Sequence, residues 1–237
     1  MFLATRFKSF GLTALLVLSA ISVARAAPPA TPGAPASWQE GKNYFAVVPA
    51  QRTNLPPGKV EVTEVFSYGC PYCNTFSGFF DQLKASLPAN VQFDYLPAAF
   101  NTVEDWPMFQ RAFCTAQLLG VAEKAHDRIF SAVWKTGELA IMDPRTNQVK
   151  KPLPTIEDAA RVYNKLTGVA VDKFVATSKS FAADVKIKSY EALIRAYHVD
   201  QTPTVIVNGK YRITFGSAGS PNDMIALVKW LVAKETT

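Results

Sequence analysis

Residues 59–76 read KVEVTEVFSYGCPYCNTF, and this stretch decides the fold. Its first half, from Lys59 to Ser67, is rich in β-branched residues and predicts a strand. Two cysteines follow, and beyond them apolar side chains recur at helical spacing. These side chains are Phe76, Phe79, Phe80, Leu83 and Leu87. The sequence therefore predicts a strand that leads directly into a helix beginning at or near Cys70.

The segments on either side extend the same sheet. Tyr44 to Val48 has the composition of an edge strand, and Pro56-Pro57-Gly58 marks the turn that follows it. Pro88 ends the first helix, and Val91 to Leu96 predicts a further strand. Because a helix connects the two strands, we expect them to be parallel.

The middle of the chain carries helical patterns and no convincing strand. The patterns cover residues 106–119, residues 122–135, a segment from a capping box at Thr155 to Gly168, and a long segment from about Phe174 to about Tyr197 that is bent or broken once. β structure then returns. Thr204 to Val207 and Lys210 to Phe215 predict strands joined by an Asn208-Gly209 hairpin, and Ser220 caps a last helix.

This order of elements predicts an α/β, thioredoxin-like fold with an inserted all-helical domain. Residues 41–100 and 198–237 would build the thioredoxin-like domain, and residues 101–197 the insertion. The chain is long enough to bury a core without disulfide staples.

The N-terminus, residues 1–26, has the organisation of a secretory signal peptide. A positive segment precedes an apolar run over residues 10–23, and Ala24-Arg25-Ala26 is a small-x-small cleavage site. We therefore expect cleavage before Ala27. The alternative is an uncleaved membrane anchor, but the apolar run is shorter than the ~20 residues that a spanning helix needs.

The mature chain that follows carries little net charge. The signal contains Arg6, Lys8 and Arg25 and no acidic residue, so the formal net charge of +6 falls to +3 after cleavage. Without a basic run, this charge gives no case for nucleic-acid binding. Residues 27–40 are rich in Pro and Ala, so we expect a flexible N-terminus with order beginning near Tyr44.

Three cysteines remain, and their spacing indicates a redox pair plus one packed thiol. Cys70 and Cys73 are separated by two residues, whereas Cys114 lies alone in an apolar helix and fits a small buried hydrophobe. The alternatives for the pair are a structural disulfide or half of a zinc site. No second cysteine pair is present, and His126 and His198 fit surface or helix-end positions, so we expect no metal.

The helix start assigns a role to each cysteine. Cys70 would lie where unsatisfied N–H groups and the helix dipole stabilise a thiolate. We expect it to be exposed and to form the mixed disulfide with substrate, while Cys73 faces inward and resolves that intermediate. Pro71 suits the first helical position because its missing N–H would have no partner there.

Two further features belong to the predicted site. Strand alternation puts Glu64 on the same face as Val60 and Val62, so it is a candidate proton acceptor for Cys73; the alternative is a solvent-facing residue like Glu61. Thr202-Pro203 immediately precedes a strand, and a proline there can adopt a cis bond that kinks the backbone. The alternative for Pro203 is an ordinary proline before a strand.

The chain resembles the DsbA family of periplasmic thiol–disulfide oxidoreductases. The resemblance runs from about Glu40 to the end, and its strongest motifs are FSYGCPYC at residues 66–73 and TPTVIVNGKY at residues 202–211. It implies a periplasmic location, no cofactor, and a Cys70–Cys73 pair that cycles between disulfide and dithiol. It also implies that Pro203 is cis and faces Cys70, and that Glu64 is the buried acid beneath the pair.

The resemblance also implies partners. Reduced exported polypeptides would be the substrates, a DsbB-like membrane protein passing electrons to quinone would reoxidise the pair, and the protein would be a monomer. Tyr72 departs from the best-known members, which have His there, so we expect a less depressed Cys70 pKa and a weaker oxidant. Ser77 and Tyr95 stand where some members carry charged groups beside the buried acid.

Two other function classes compete with a dithiol oxidase. Cys-Pro-Tyr-Cys also occurs in glutaredoxins, which are much shorter, are not exported and lack the insertion. DsbC-type isomerases carry an N-terminal dimerisation domain, and we expect the stretch before Glu40 to be disordered instead. A metal-binding module using Cys70 and Cys73 as ligands would need a nearby His or Met, and none is placed in sequence to serve.

Overall fold

The computed structural model describes residues 38–236, which build a five-stranded sheet and eight helices. The strands are β1 (Phe45–Ala46), β2 (Val60–Phe66), β3 (Val91–Pro97), β4 (Thr204–Val207) and β5 (Tyr211–Thr214). The helices are α1 (Pro71–Ser86), α2 (Trp106–Leu118), α3 (Ala122–Trp134), α4 (Ile156–Thr167), α5 (Val171–Ser178), α6 (Phe181–Ala196), α7 (Phe215–Ala218) and α8 (Pro221–Glu235). No helix in this part of the chain combines the length and apolar character needed to cross a bilayer.

The sheet has the order β1-β5-β4-β2-β3. β3 is parallel to β2, as the β-α-β reasoning predicted, and β4 is antiparallel to β2. The two-residue strand β1 lies at the edge beside β5, which confirms the predicted edge strand. β2 is therefore central, with neighbours on both sides, and it carries the chain directly to the cysteine pair.

Apolar side chains pack on both faces of the sheet. On one face, Val60, Val62 and Phe66 of β2 pack in a large cluster that includes residues of α1, α2, α3 and α8. On the other face, Val65 and residues of β3 and β4 pack against α6. Because β2 alternates, Glu64 shares the first face with Val62 and Phe66. A carboxyl is thus placed within the core under α1.

Five helices, α2 to α6, follow β3 and precede β4, so the segment predicted as a helical insertion is helical. Its boundaries at residues 101 and 197 remain a prediction. The predicted long helix is two helices, because Ser180 caps α6 by accepting a hydrogen bond from the backbone N–H of Ala183. The Thr155 capping box at the start of α4 is present as predicted.

The N-terminal predictions meet the structure only in part. The signal peptide and residues 27–37 lie outside the described residues. The ordered part of the chain begins before Tyr44, contrary to the sequence-based expectation. Trp38 packs against the large apolar cluster, and Glu40 forms a β-bridge with Tyr44.

Candidate active site

The cysteine pair lies at the N-terminus of α1. Cys70 is the N-cap residue, Pro71 occupies the first turn, and the backbone N–H of Cys73 donates to Cys70 Sγ at 3.4 Å. Facing Cys70 is the Thr202–Pro203 peptide, whose bond is cis. The Cys70 thiol donates to the Thr202 carbonyl oxygen at 3.4 Å, although 132 residues separate them in sequence. The predicted cysteines and the Thr202–Pro203 peptide are thus brought together.

Cys70 is not exposed as the sequence reasoning expected. Only 3% of its surface is accessible, because the Thr202 carbonyl lies against its sulfur and the residue belongs to the large apolar cluster. The exposed residue of the motif is Tyr72, at 68%. A substrate cysteine would therefore reach Cys70 beside Tyr72 rather than on an open surface.

The two thiols have opposite acidities. The pKa of Cys70 is lowered because the Cys73 thiol donates to its sulfur. The backbone N–H groups of Cys73 and Tyr72 add to this effect, while burial opposes it. The pKa of Cys73 is raised well above that of an ordinary thiol, first by burial and then by Cys70 and Glu64. At neutral pH the reduced site favours a thiolate on Cys70 and a proton on Cys73.

Glu64 is buried under this pair. It is 1% exposed, and its Oε1 atom has no hydrogen-bond partner among residues 38–236. The solvent-facing alternative is therefore wrong. Burial raises the pKa of Glu64 to about 8; the Lys84 ammonium opposes this effect, and nearby acidic groups reinforce it. A carboxyl that titrates near neutral pH beside a buried thiol can give or take a proton there.

The sequence reasoning missed His126. It expected a surface or helix-end residue, but His126 is buried on α3, and its Nδ1 lies 3.0 Å from the Tyr68 hydroxyl. Burial lowers the pKa of His126 to about 3, so the ring is neutral. Helical spacing in the sequence could have revealed this buried position. His126 lies four residues after Ala122 and three before Ile129, and both of these residues are buried on the same helix.

The predictions for His198 and Cys114 agree with the structure. His198 is exposed and follows the end of α6. Cys114 is fully buried in the cluster beneath α6, and burial raises the pKa of its thiol to about 12. Cys114 is therefore a packed, unreactive thiol.

Comparison with known proteins decides the family. A protein-family model described as Thioredoxin matches residues 56–229. The thiol:disulfide interchange protein DsbA of Pseudomonas aeruginosa is 36% identical over 203 residues, which cover 84% of this chain and 86% of that protein. The chain belongs to the DsbA family. The DsbA of Pseudomonas syringae pv. tomato is 34% identical over 220 residues, covering 93% of this chain and 95% of that protein.

Solved DsbA structures have the same fold. The crystal structure of Pseudomonas aeruginosa DsbA superposes with a TM-score of 0.69 at 35% identity, covering 84% of this chain and 94% of that one. The DsbA of Xylella fastidiosa gives a TM-score of 0.70 at 30% identity, with coverage of 82% and 96%. The predicted thioredoxin-like fold and thiol:disulfide oxidoreductase activity are thereby confirmed for this DsbA-family chain.

One expectation about the surroundings of Glu64 needs correction. Ser77 and Tyr95 are indeed uncharged, but the position next to Tyr95 is not without charge. The Lys84 side chain, from the last turn of α1, contacts the Tyr95 hydroxyl. The charge is supplied by a different residue from the two that the resemblance pointed to, although Lys84 lies on the same helix as Ser77.

Proposed function

We propose that this DsbA-family protein donates a Cys70–Cys73 disulfide to reduced polypeptides exported to the periplasm. The observation that carries the proposal is the position of Cys70 at the N-cap of α1, against the Thr202–Pro203 peptide. Donors at this helix terminus stabilise a thiolate on Cys70, which makes it a good leaving group and the disulfide a good oxidant.

The reaction proceeds in two exchanges. A substrate thiolate attacks Cys70 Sγ, the Cys70–Cys73 bond breaks, and the Cys73 sulfur leaves with the electron pair. A second substrate thiolate then attacks the substrate sulfur of the mixed disulfide, and Cys70 leaves as a thiolate. The substrate loses two electrons and gains a disulfide, and the enzyme ends as a dithiol. We expect the substrate to pass four residues as it reaches this sulfur: Pro71, Tyr72, Thr202 and Pro203.

Glu64 donates the proton that Cys73 takes up in the first exchange. The departing Cys73 sulfur is buried and has a raised pKa, so it takes up a proton. With a pKa of about 8, the Glu64 carboxyl is protonated in most molecules at neutral pH and can supply that proton, which solvent then replaces. During reoxidation the same carboxylate accepts the proton from Cys73.

The reduced enzyme must lose two electrons before another cycle. We assign this step to a DsbB-like membrane protein that passes the electrons to quinone. The protein would act in the periplasm as a monomer after cleavage before Ala27, and N-terminal sequencing of the periplasmic form checks the cleavage site.

The proposed activity is tested by incubating the oxidised protein with a reduced, unfolded substrate and following disulfide formation. We expect Cys70→Ser to abolish oxidation and Cys114→Ser to leave it unchanged, because Cys114 is buried in the cluster beneath α6. Retention of full activity by Cys70→Ser would overturn the proposal.

A further inference from the structure

The neighbour of the buried Glu64 carboxyl on the adjacent strand is a neutral side chain. Within the described part of the chain the Glu64 Oε1 atom has no hydrogen-bond partner, and Glu64 pairs directly with Tyr95 across β2 and β3. Paired residues on parallel strands project to the same face about 4.8 Å apart, so the Tyr95 side chain runs alongside the carboxyl. Tyr95 carries no charge of its own to balance a carboxylate.

The Tyr95 side chain instead contacts the Lys84 side chain, which carries a positive charge. The Lys84 ammonium contacts the Tyr95 hydroxyl, and it also lies 4.7 Å from the centre of the Tyr95 ring. The aromatic rings of Phe80 and Phe93 lie 5.6 and 5.9 Å from the same ammonium. A cation surrounded by ring faces and a hydroxyl oxygen is fixed in place rather than free in solvent.

Lys84 also remains in contact with water. Its side chain is 32% exposed, and it lines a cleft of about 490 Å³ together with Tyr95, His126, Asp127 and Lys59. The lysine can therefore keep its charge while it acts on a carboxyl that is almost completely buried.

We propose that Lys84, held by Tyr95, is the positioning residue that sets the protonation of Glu64 and thereby its proton exchange with Cys73. The inference rests on the proposed role of Glu64 in that exchange. The Lys84 ammonium lowers the pKa of Glu64, whereas Asp127 of α3, Asp81 of α1 and Cys70 raise it. Tyr95 of β3 and Cys73 of α1 are also electrostatically coupled to Glu64. His126 of α3 contacts the Tyr95 ring and the Tyr68 hydroxyl, and Glu123 lines the same cleft as Lys84.

A simpler role for Lys84 is helix stabilisation. It lies in the last turn of α1, where a cation interacts favourably with the helix dipole, and its ammonium is 3.9 Å from Asp81. That role would affect the stability of the protein and leave the titration of Glu64 unchanged. The two roles are therefore separable by measuring Glu64 itself.

The test is a carbon-13 NMR titration of the Glu64 carboxyl in the reduced full-length mature protein, with the resonance assigned from Glu64→Gln. Lys84→Met should shift the midpoint upward, and each unit of increase lowers the carboxylate-to-carboxyl ratio about tenfold. Lys84→Arg should restore most of the wild-type midpoint. Tyr95→Phe should shift it in the same direction by less, because the ring contact with Lys84 survives.

Lys59→Met is the matched control. Lys59 lines the same cleft, but its ammonium donates to the Ala89 carbonyl oxygen. We expect it to leave the Glu64 midpoint unchanged. An unchanged or lowered midpoint in Lys84→Met would overturn the proposal, as would an equal effect of Lys59→Met. The titration needs no turnover, so it can succeed or fail independently of the substrate-oxidation assay.

Discussion

At the scale of single residues, Glu64 should lower the stability of the protein at neutral pH. Its pKa is about 8 in the folded state and near 4.5 when the chain is unfolded. At a pH between these two values, unfolding therefore releases a proton from Glu64. Stability from this group is therefore highest below pH 4.5 and falls as pH rises toward 8. A residue that costs stability yet lies under the cysteine pair is consistent with a catalytic role.

Glu64→Gln should accordingly stabilise the protein by about 2–3 kcal/mol at pH 7 and have little effect below pH 4.5. Denaturant unfolding of the reduced protein across this range measures the difference. A stability difference that does not change between pH 4.5 and 8 would contradict the account. Glu61→Gln, on the same strand but half-buried, is the control and should show a smaller pH dependence.

Tyr72 offers the second prediction at this scale. A histidine there would place a partial positive charge beside the Cys70 sulfur, so Tyr72→His should lower the Cys70 pKa further and raise the reduction potential. Thiolate absorbance against pH and equilibration with glutathione measure both quantities. Tyr72→Phe, which adds no charge, should leave both near wild type; a shift of the same size in this variant would show that charge is not the cause.

The residues found from sequence were those with a local signal. Glu64 was found because strand alternation places it among valines. The buried position of Cys70 and the contact of Lys84 with Tyr95 were not predictable, because each depends on a partner from another element. His126 was missed because it was considered alone rather than as part of the apolar face of α3.

At the scale of elements, the junction between β2 and α1 is tightly packed. A side chain on Gly69 would place its Cβ 2.4 Å from Trp106 Nε1 and 3.1 Å from Ile141 Cδ1. The junction carries Cys70 to the helix start, so anything that displaces Gly69 also displaces the Cys70 sulfur. Two residues from the helical segment between β3 and β4 thus determine which residue can occupy this position.

Gly69→Ala should therefore destabilise the protein by about 1–3 kcal/mol and slow substrate oxidation. The matched control is Gly78→Ala, within α1. A Cβ there would have no described atom within 4 Å beyond its chain neighbours and its own helix backbone, so this substitution should stabilise the helix by up to about 1 kcal/mol. Unfolding midpoints of the two variants give the comparison. Equal effects of the same sign would contradict the packing argument.

Most elements were predictable because their caps and turns are encoded locally. The Asn208-Gly209 turn and the Thr155 and Ser220 caps lie at the expected positions. The break between α5 and α6 was placed only approximately, because the Ser180 cap interrupts an otherwise continuous helical pattern. α7 has four residues, too few to give a periodic signal.

At the scale of the whole molecule, His126 links the helical segment to the strand that leads to the active site. Its ring contacts Phe66, Tyr68 and Tyr95 at centroid distances of 4.8, 5.4 and 4.2 Å. The ring is neutral when folded, with a pKa of about 3, but is protonated below pH 6.5 when unfolded. Stability from this group is therefore lost as pH falls from 6.5 toward 3.

As pH falls from 6.5 toward 3, protonation of His126 in the unfolded state should lower the stability of the wild-type protein by about 2–4 kcal/mol. In His126→Gln this part of the pH dependence should be absent, although the variant is less stable at neutral pH. His198→Gln, at an exposed site, should retain the wild-type pH dependence. Identical slopes for His126→Gln and wild type would contradict the assignment.

The central claim is that Cys70 is the sulfur that joins the substrate, and trapping tests it directly. At pH 6, reduced Cys73→Ser protein is mixed with a single-cysteine peptide activated as a mixed disulfide with an aromatic thiol. The Cys70 thiolate should displace the aromatic thiolate and remain bonded to the peptide, because the variant lacks the resolving thiol. Mass spectrometry should find one peptide on the fragment containing Cys70, and none on Cys70→Ser protein. An adduct on Cys114, or one formed equally by Cys70→Ser, would contradict the account.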